Sequence, residues 1–79
     1  MKVRVQLFGV LGNKLPEFSS PEGVEMELPD ESSVGDLFNY LKIPEDWEVT
    51  VAMDSRLLKY DDLMRDGAEI RVLQPVHGG

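Results

Sequence analysis

Fifteen acidic residues against eight basic ones give this chain of 79 residues a net charge of −7. That leaves no basic face for phosphates, so nucleic-acid binding is not expected, whereas steering toward a basic partner is open. With no cysteine and a single histidine, His77, disulfides, a thiolate nucleophile and an internal metal site are not expected either. The length suits one small domain with a thin core, because a chain this short buries only roughly 60% of its unfolded surface. No apolar run approaches the roughly 20 residues of a bilayer span. The first residues, Met1-Lys2-Val3-Arg4-Val5, alternate charge with valine, unlike a signal peptide. The expectation is a soluble, cytoplasmic protein with no membrane association.

Val3, Val5 and Leu7 alternate with Lys2, Arg4, Gln6 and Phe8. This is a period-two strand with one apolar face. Phe8 is the anomaly, since it falls on the polar face. From Gly9 to Pro21 the breakers Gly9, Gly12, Asn13, Pro16 and Pro21 make a loop. Val10, Leu11, Leu15 and Phe18 are too apolar for a free linker, so the loop should be packed and contain a helical turn. Val24, Met26 and Leu28 alternate with Glu25, Glu27 and Pro29, which predicts a second strand in an antiparallel hairpin with the first.

Ser33-Val34-Gly35-Asp36 has the serine-to-acid spacing of a capping box. Val34, Leu37, Phe38 and Leu41 follow at helical spacing, so one helix is predicted here, ending before Pro44. Gly35 would cost that helix up to ~1 kcal/mol relative to alanine. Trp47, in the following connector, should cover the helix end. Val49, Val51 and Met53 predict a third strand, Asp54-Ser55 a turn, and Arg56-Leu57-Leu58 a short fourth strand. Tyr60 to Met64 could form one helical turn opened by Asp61. Asp66-Gly67 is a strong turn signal. Glu69 to Leu73 is the last strand, with Ile70 and Val72 facing one way and Leu73 the other.

One helix stripe is buried most economically on one face of a mixed sheet. The order of elements therefore predicts an α+β chain of the β-grasp type, with four to five strands packed on one main helix. The first and last strands lie side by side. The expected core is Val3, Val5, Leu7, Val24, Met26, Leu28, Val34, Leu37, Phe38, Leu41, Val51, Ile70 and Val72. Residues 1–73 form the domain and residues 74–79 a mobile tail. Pro75 lacks the N–H that a sheet ladder needs. Gly78 and Gly79 have no side chains and can enter a narrow channel carboxylate first.

These residues resemble the ubiquitin-like sulfur carriers of the MoaD/ThiS type, which include the small subunit of molybdopterin synthase and the carrier of thiamine biosynthesis. The resemblance covers almost the whole chain. It rests on Val5-Gln6-Leu7-Phe8, on Asp66-Gly67-Ala68-Glu69-Ile70 and on Leu73-Gln74-Pro75-Val76-His77-Gly78-Gly79. The family often has two prolines where this chain has Gln74-Pro75, and small residues where it has His77. The long loop from Gly9 to Gly23 resembles the molybdopterin type more than the shorter thiamine carriers.

The resemblance implies that the Gly79 carboxylate attacks the α-phosphate of ATP on a separate E1-like activating enzyme. A sulfur donor then converts the adenylate to a C-terminal thiocarboxylate, and the molybdopterin synthase large subunit receives the sulfur. The isolated domain would bind no cofactor, because ATP is used on the activating enzyme, and would have no independent active site. Gly78 and Gly79 keep the approach path free, and small misplacements of reacting atoms are costly. His77 could assist a proton transfer, although a lone tail histidine is ordinarily just solvated. Phe8 and Leu73, beside the tail root, would form a docking patch, joined by Pro75, Val76 and His77 when the tail enters a partner. Asp36, Asp61 and Asp62 fit capping and turn roles better than a metal site. Three functions compete: a sulfur carrier, a ubiquitin-like modifier conjugated through Gly79, and a plain interaction domain with an irrelevant tail.

Overall fold

The computed structural model describes residues 1–44 and 46–74. Glu45 lies outside the described residues, as do Pro75, Val76, His77, Gly78 and Gly79, so the expectations for the tail fall outside them too.

The elements run β1 (Lys2–Gly9), α1 (Leu11–Lys14), a 3-10 turn (Pro16–Phe18), β2 (Val24–Glu27), α2 (Val34–Leu41), β3 (Thr50–Met53), β4 (Arg56–Leu58) and β5 (Glu69–Gln74). The five strands form one mixed sheet in the order β2-β1-β5-β3-β4. β1 and β5 are parallel at its centre, and every other pairing is antiparallel. The buried alternation of Val3 and Val5 on β1, Val51 and Met53 on β3, and Ile70 and Val72 on β5 points one sheet face at α2. Leu37 and Leu41 of that helix are fully buried against it. Leu7 and Val24 are only partly buried at its margin. Leu11, Leu15, Ile43, Met53, Met64 and Ala68, which the expected core did not include, complete it.

α2 forms where the capping box predicts. Ser33 Oγ accepts from the Asp36 backbone N–H at 3.2 Å, and the Asp36 carboxylate accepts from the Ser33 N–H at 2.9 Å. The helix ends at Leu41, before Pro44 can act, because Lys42 adopts the left-handed conformation with φ 61°.

Residues 60–64 do not form the helical turn that Asp61 suggested. They are a turn followed by a bridge from Leu63 to Ser33. The reason is the open N-terminus of α2. Val34 N–H donates to Asp62 O and Gly35 N–H to Tyr60 O, both at 3.0 Å. The first N–H groups of a helix have no partner within it. Satisfying them from a neighbouring segment outweighs a single isolated helical turn, which is unfavourable to nucleate.

The remaining turns follow their sequence signals. Asp54 and Ser55 both have positive φ, which suits the tight hairpin between β3 and β4. The Asp54 carboxylate pairs with Arg65 and also accepts from the Glu69 N–H at 3.3 Å. Gly67, φ 79°, turns the chain into β5 while its N–H donates to Lys2 O at 2.7 Å.

Candidate functional site

The parallel pairing of β1 and β5 brings the ends of both strands to the same end of the sheet. The last register pairs are Phe8 with Leu73 and Gly9 with Gln74. Gln74 is therefore the root from which the remaining residues continue. Phe8 and Leu73 stand on the sheet face opposite α2, 43% and 40% exposed. Strand alternation and the side-by-side first and last strands predict this shared face, and the two side chains occupy it.

The patch is wider than that pair. Thr50 is the register partner of Leu73, so Phe8, Leu73 and Thr50 form one row across three strands. Arg71, Ala52 and Leu57 form the next row. Together these six residues line an open depression of about 350 Å³. Among the described residues Leu57 is the most exposed of the large apolar side chains, at 70%. Its role was legible in principle. Adjacent residues on a strand face opposite ways, so Leu57 and Leu58 could not both enter the core, and Leu58 is the one that packs on it.

The loop after β1 does not cover this patch. Leu11 and Leu15 turn into the core, and the Phe18 ring meets Tyr40 of α2, with ring centroids 6.3 Å apart. The loop thus lies on the helix side. Gly9 makes that turn possible with φ +66°, a left-handed conformation costly for a residue bearing Cβ. A Cβ there would also fall 2.5 Å from Gln74 O. The close approach of β1 to the root of the tail therefore needs glycine twice over.

On the loop side of that root the Lys14 ammonium donates to Gln74 Oε1 at 2.9 Å and lies 4.4 Å from the centre of the Trp47 ring. Trp47 is partly buried against the core. Neither Lys14 nor Gln74 stood out in the sequence as a site residue.

The acidic residues have local duties. Asp36 closes the capping box, and the Asp62 carboxylate accepts from the Lys59 N–H at 2.8 Å. Among the described residues no group of three histidine, cysteine, aspartate or glutamate side chains is placed to hold a metal ion. No described helix is long and apolar enough to cross a membrane.

A five-stranded mixed sheet, one main helix and central parallel first and last strands define a ubiquitin-like β-grasp protein. The chain belongs to the ThiS family, whose model matches residues 5–79. Among solved structures it is similar to a putative molybdopterin converting factor subunit 1 from Pyrococcus furiosus. That match has 27% identity and a TM-score of 0.73, covering 96% of this chain and 99% of the other. It shares the fold of the small archaeal modifier protein 1 of Haloferax volcanii, with 18% identity, a TM-score of 0.73 and coverages of 95% and 98%. It also shares the fold of a chain in the complex of subunits 1 and 2 of the molybdopterin-converting factor from Helicobacter pylori, with 22% identity, a TM-score of 0.61 and full coverage of both chains. No curated protein sequence matches the chain.

Proposed function

We propose that this protein is a sulfur carrier of molybdopterin biosynthesis that works through the carboxylate of Gly79. A carboxylate is a poor acyl donor, because its leaving group would be oxide. On an E1-like activating enzyme, a Gly79 oxygen attacks the α-phosphate of ATP and pyrophosphate leaves. Hydrosulfide supplied by a sulfur donor then attacks the acyl carbon and AMP leaves, giving the thiocarboxylate. Its sulfur passes to a dithiolene-forming pterin on a molybdopterin synthase large subunit. ATP is bound by the activating enzyme and not by the carrier, and the whole sequence takes place in the cytoplasm.

The observation that carries this reading is the exposed apolar pair of Phe8 and Leu73, in one row with Thr50 and one residue from the end of β5. A carrier must present its terminus to two different enzymes in turn. An apolar patch at the root of the tail lets each partner dock the domain and receive the carboxylate in one motion. The similarity to a molybdopterin converting factor subunit 1, and the complex formed by the related Helicobacter pylori pair, support the molybdopterin branch and a large-subunit partner. Likeness to a modifier protein keeps conjugation through Gly79 as the second reading, since both uses begin with adenylation.

Intact-mass analysis of the protein purified from its native host tests the product. One oxygen exchanged for one sulfur supports the carrier, whereas isopeptide-linked conjugates with a plain carboxylate support the modifier. ATP–pyrophosphate exchange with the cognate activating enzyme tests the terminus. Deleting Gly79, or adding one alanine after it, shifts the reach by up to ~3.5 Å. Exchange should fall by ~10²-fold or more, since even a ~1 Å error can cost that much. Undiminished exchange by both variants would show that this terminus is not the reacting group.

A further inference from the structure

We infer that Arg71 is a specificity residue of the docking face, its guanidinium meeting an aspartate or glutamate side chain of the activating enzyme. This inference rests on the carrier reading above and names the partner chemistry of that same surface. It starts from the distribution of charge over the sheet face opposite α2. The strand register sorts that face into four rows. Lys2 stands opposite Glu27, and Arg4 stands between Glu25 and Glu69. In these two rows acids and bases face each other, and the Arg4 guanidinium is 3.8 Å from the Glu25 carboxylate. The next row reads Gln6, Arg71, Ala52 and Leu57, and the last reads Phe8, Leu73 and Thr50. Arg71 alone is charged in these two rows.

None of the ion pairs among the described residues includes Arg71, although the chain carries fifteen acidic residues. Glu69, two positions earlier on the same face, stands beside Arg4 instead. The place of Arg71 in the sheet decides what happens to it in a complex. β5 is the central strand, with two strands on either side. A partner that touches Phe8 and Leu57 at once must cross Arg71, which lines the depression with them. A guanidinium covered by another protein loses its water, and a buried charge without a partner is strongly unfavourable. A carboxylate removes that penalty, and its two oxygens match the fork of the guanidinium.

The local sign opposes the sign of the whole molecule. A net charge of −7 draws basic surfaces toward the chain at long range. At contact, a lysine or arginine set over Arg71 would be repelled. The face therefore accepts a partner that is acidic at the centre of an apolar contact and rejects the basic surfaces that the net charge attracts.

The test is calorimetric titration of the cognate activating enzyme with the wild-type protein, Arg71→Met, Arg71→Lys and Arg71→Glu. Arg71 is exposed, so the thermal transitions of the variants should stay close to wild type. Arg71→Met keeps the apolar stem and leaves the enzyme's carboxylate unpaired, and should bind ~30-fold more weakly or worse. Arg71→Glu sets two carboxylates together and should be weaker still. Arg71→Lys keeps the charge without the fork and should fall between wild type and Arg71→Met. Aspartates and glutamates of the enzyme are then changed to lysine one at a time. One such change should weaken binding of the wild-type protein and restore that of Arg71→Glu by ~10-fold or more. Tighter binding by Arg71→Glu would reveal a basic group on the enzyme, and tighter or unchanged binding by Arg71→Met an apolar one. Either result would overturn the role of Arg71 and leave the carrier reading standing. Failure of every lysine substitution to restore Arg71→Glu would also overturn it. A wild-type protein that neither binds the enzyme nor supports ATP–pyrophosphate exchange would overturn the carrier reading and this inference with it.

Discussion

Gly35 lies directly beneath the ring of Tyr60, so that a Cβ built on it would fall 2.7 Å from two ring carbons. The pair is fixed from both sides. The Gly35 N–H donates to Tyr60 O at 3.0 Å, and the Tyr60 ring packs edge-on to Phe38, with centroids 5.9 Å apart.

This relationship reverses the ordinary expectation for a glycine in a helix. Gly35→Ala should gain up to ~1 kcal/mol of helix propensity. To admit the methyl group, Tyr60 must swing away from Phe38, losing an aromatic contact of about 0.5–1.5 kcal/mol together with the area it covers. We expect Gly35→Ala to destabilise the protein by about 1 kcal/mol. In a Tyr60→Ala background the same substitution should become stabilising. Denaturant titration of the four proteins of this cycle checks it, and an effect of the same sign in both backgrounds would count against the packing account.

Gly9 and Gly67 make a matched pair for a second prediction. Both have positive φ, +66° and +79°. A Cβ at Gly67 would meet nothing within 4 Å, whereas one at Gly9 would meet Gln74 O at 2.5 Å. Gly67→Ala should therefore cost only the left-handed conformation, about 1–2 kcal/mol. Gly9→Ala must also push the end of β5 away from β1, and should cost at least ~1 kcal/mol more. Amide chemical shifts at Leu73 and Gln74 should move in Gly9→Ala and stay in place in Gly67→Ala. Equal losses of stability, with no shift at Gln74, would contradict the close approach.

Docking through the apolar rows gives the third prediction. Phe8→Glu, Leu57→Glu and Leu73→Glu should each leave the thermal transition close to wild type, because all three side chains are exposed. Each should weaken binding to the activating enzyme or to a synthase large subunit by at least ~2 kcal/mol, roughly 30-fold, through loss of an apolar anchor and burial of an unpaired charge. Calorimetric titration measures it. Unchanged affinity for all three variants would remove this face from the interface.

The sheet was legible because period-two alternation is a local signal. Val3 and Val5, and Ile70 and Val72, announce both the strands and the face they bury. The capping residues Ser33 and Asp36 place the helix start to the residue. Phe8 and Leu73 were legible as a patch because each breaks its strand's polar register. What escaped was decided across long separations. Residues 60–64 carry a helix-like start, yet their carbonyls are recruited by the N-terminus of α2. Leu11 opens, and Leu15 follows, a helix of only four residues, too short to display a period. The contact between Lys14 and Gln74 joins positions 60 apart, and no local pattern announces it.

The central pairing of β1 with β5 also has a consequence for how the protein is made. At the start of that pairing the Lys2 N–H donates to the carboxylate of Asp66, in the turn before β5 and 64 positions away. While the ribosome is still producing the middle of the chain, β1 can pair only with β2, and β3 only with β4. Neither hairpin buries enough apolar surface to be stable alone. The strand that unites them is the one that ends at Gln74, so closure of the sheet waits for nearly the whole chain, a topology that folds slowly. A nascent or prematurely ended chain that lacks β5 would therefore hold no folded row of Phe8, Leu73 and Thr50, because these residues come together only when β5 joins β1 to β3.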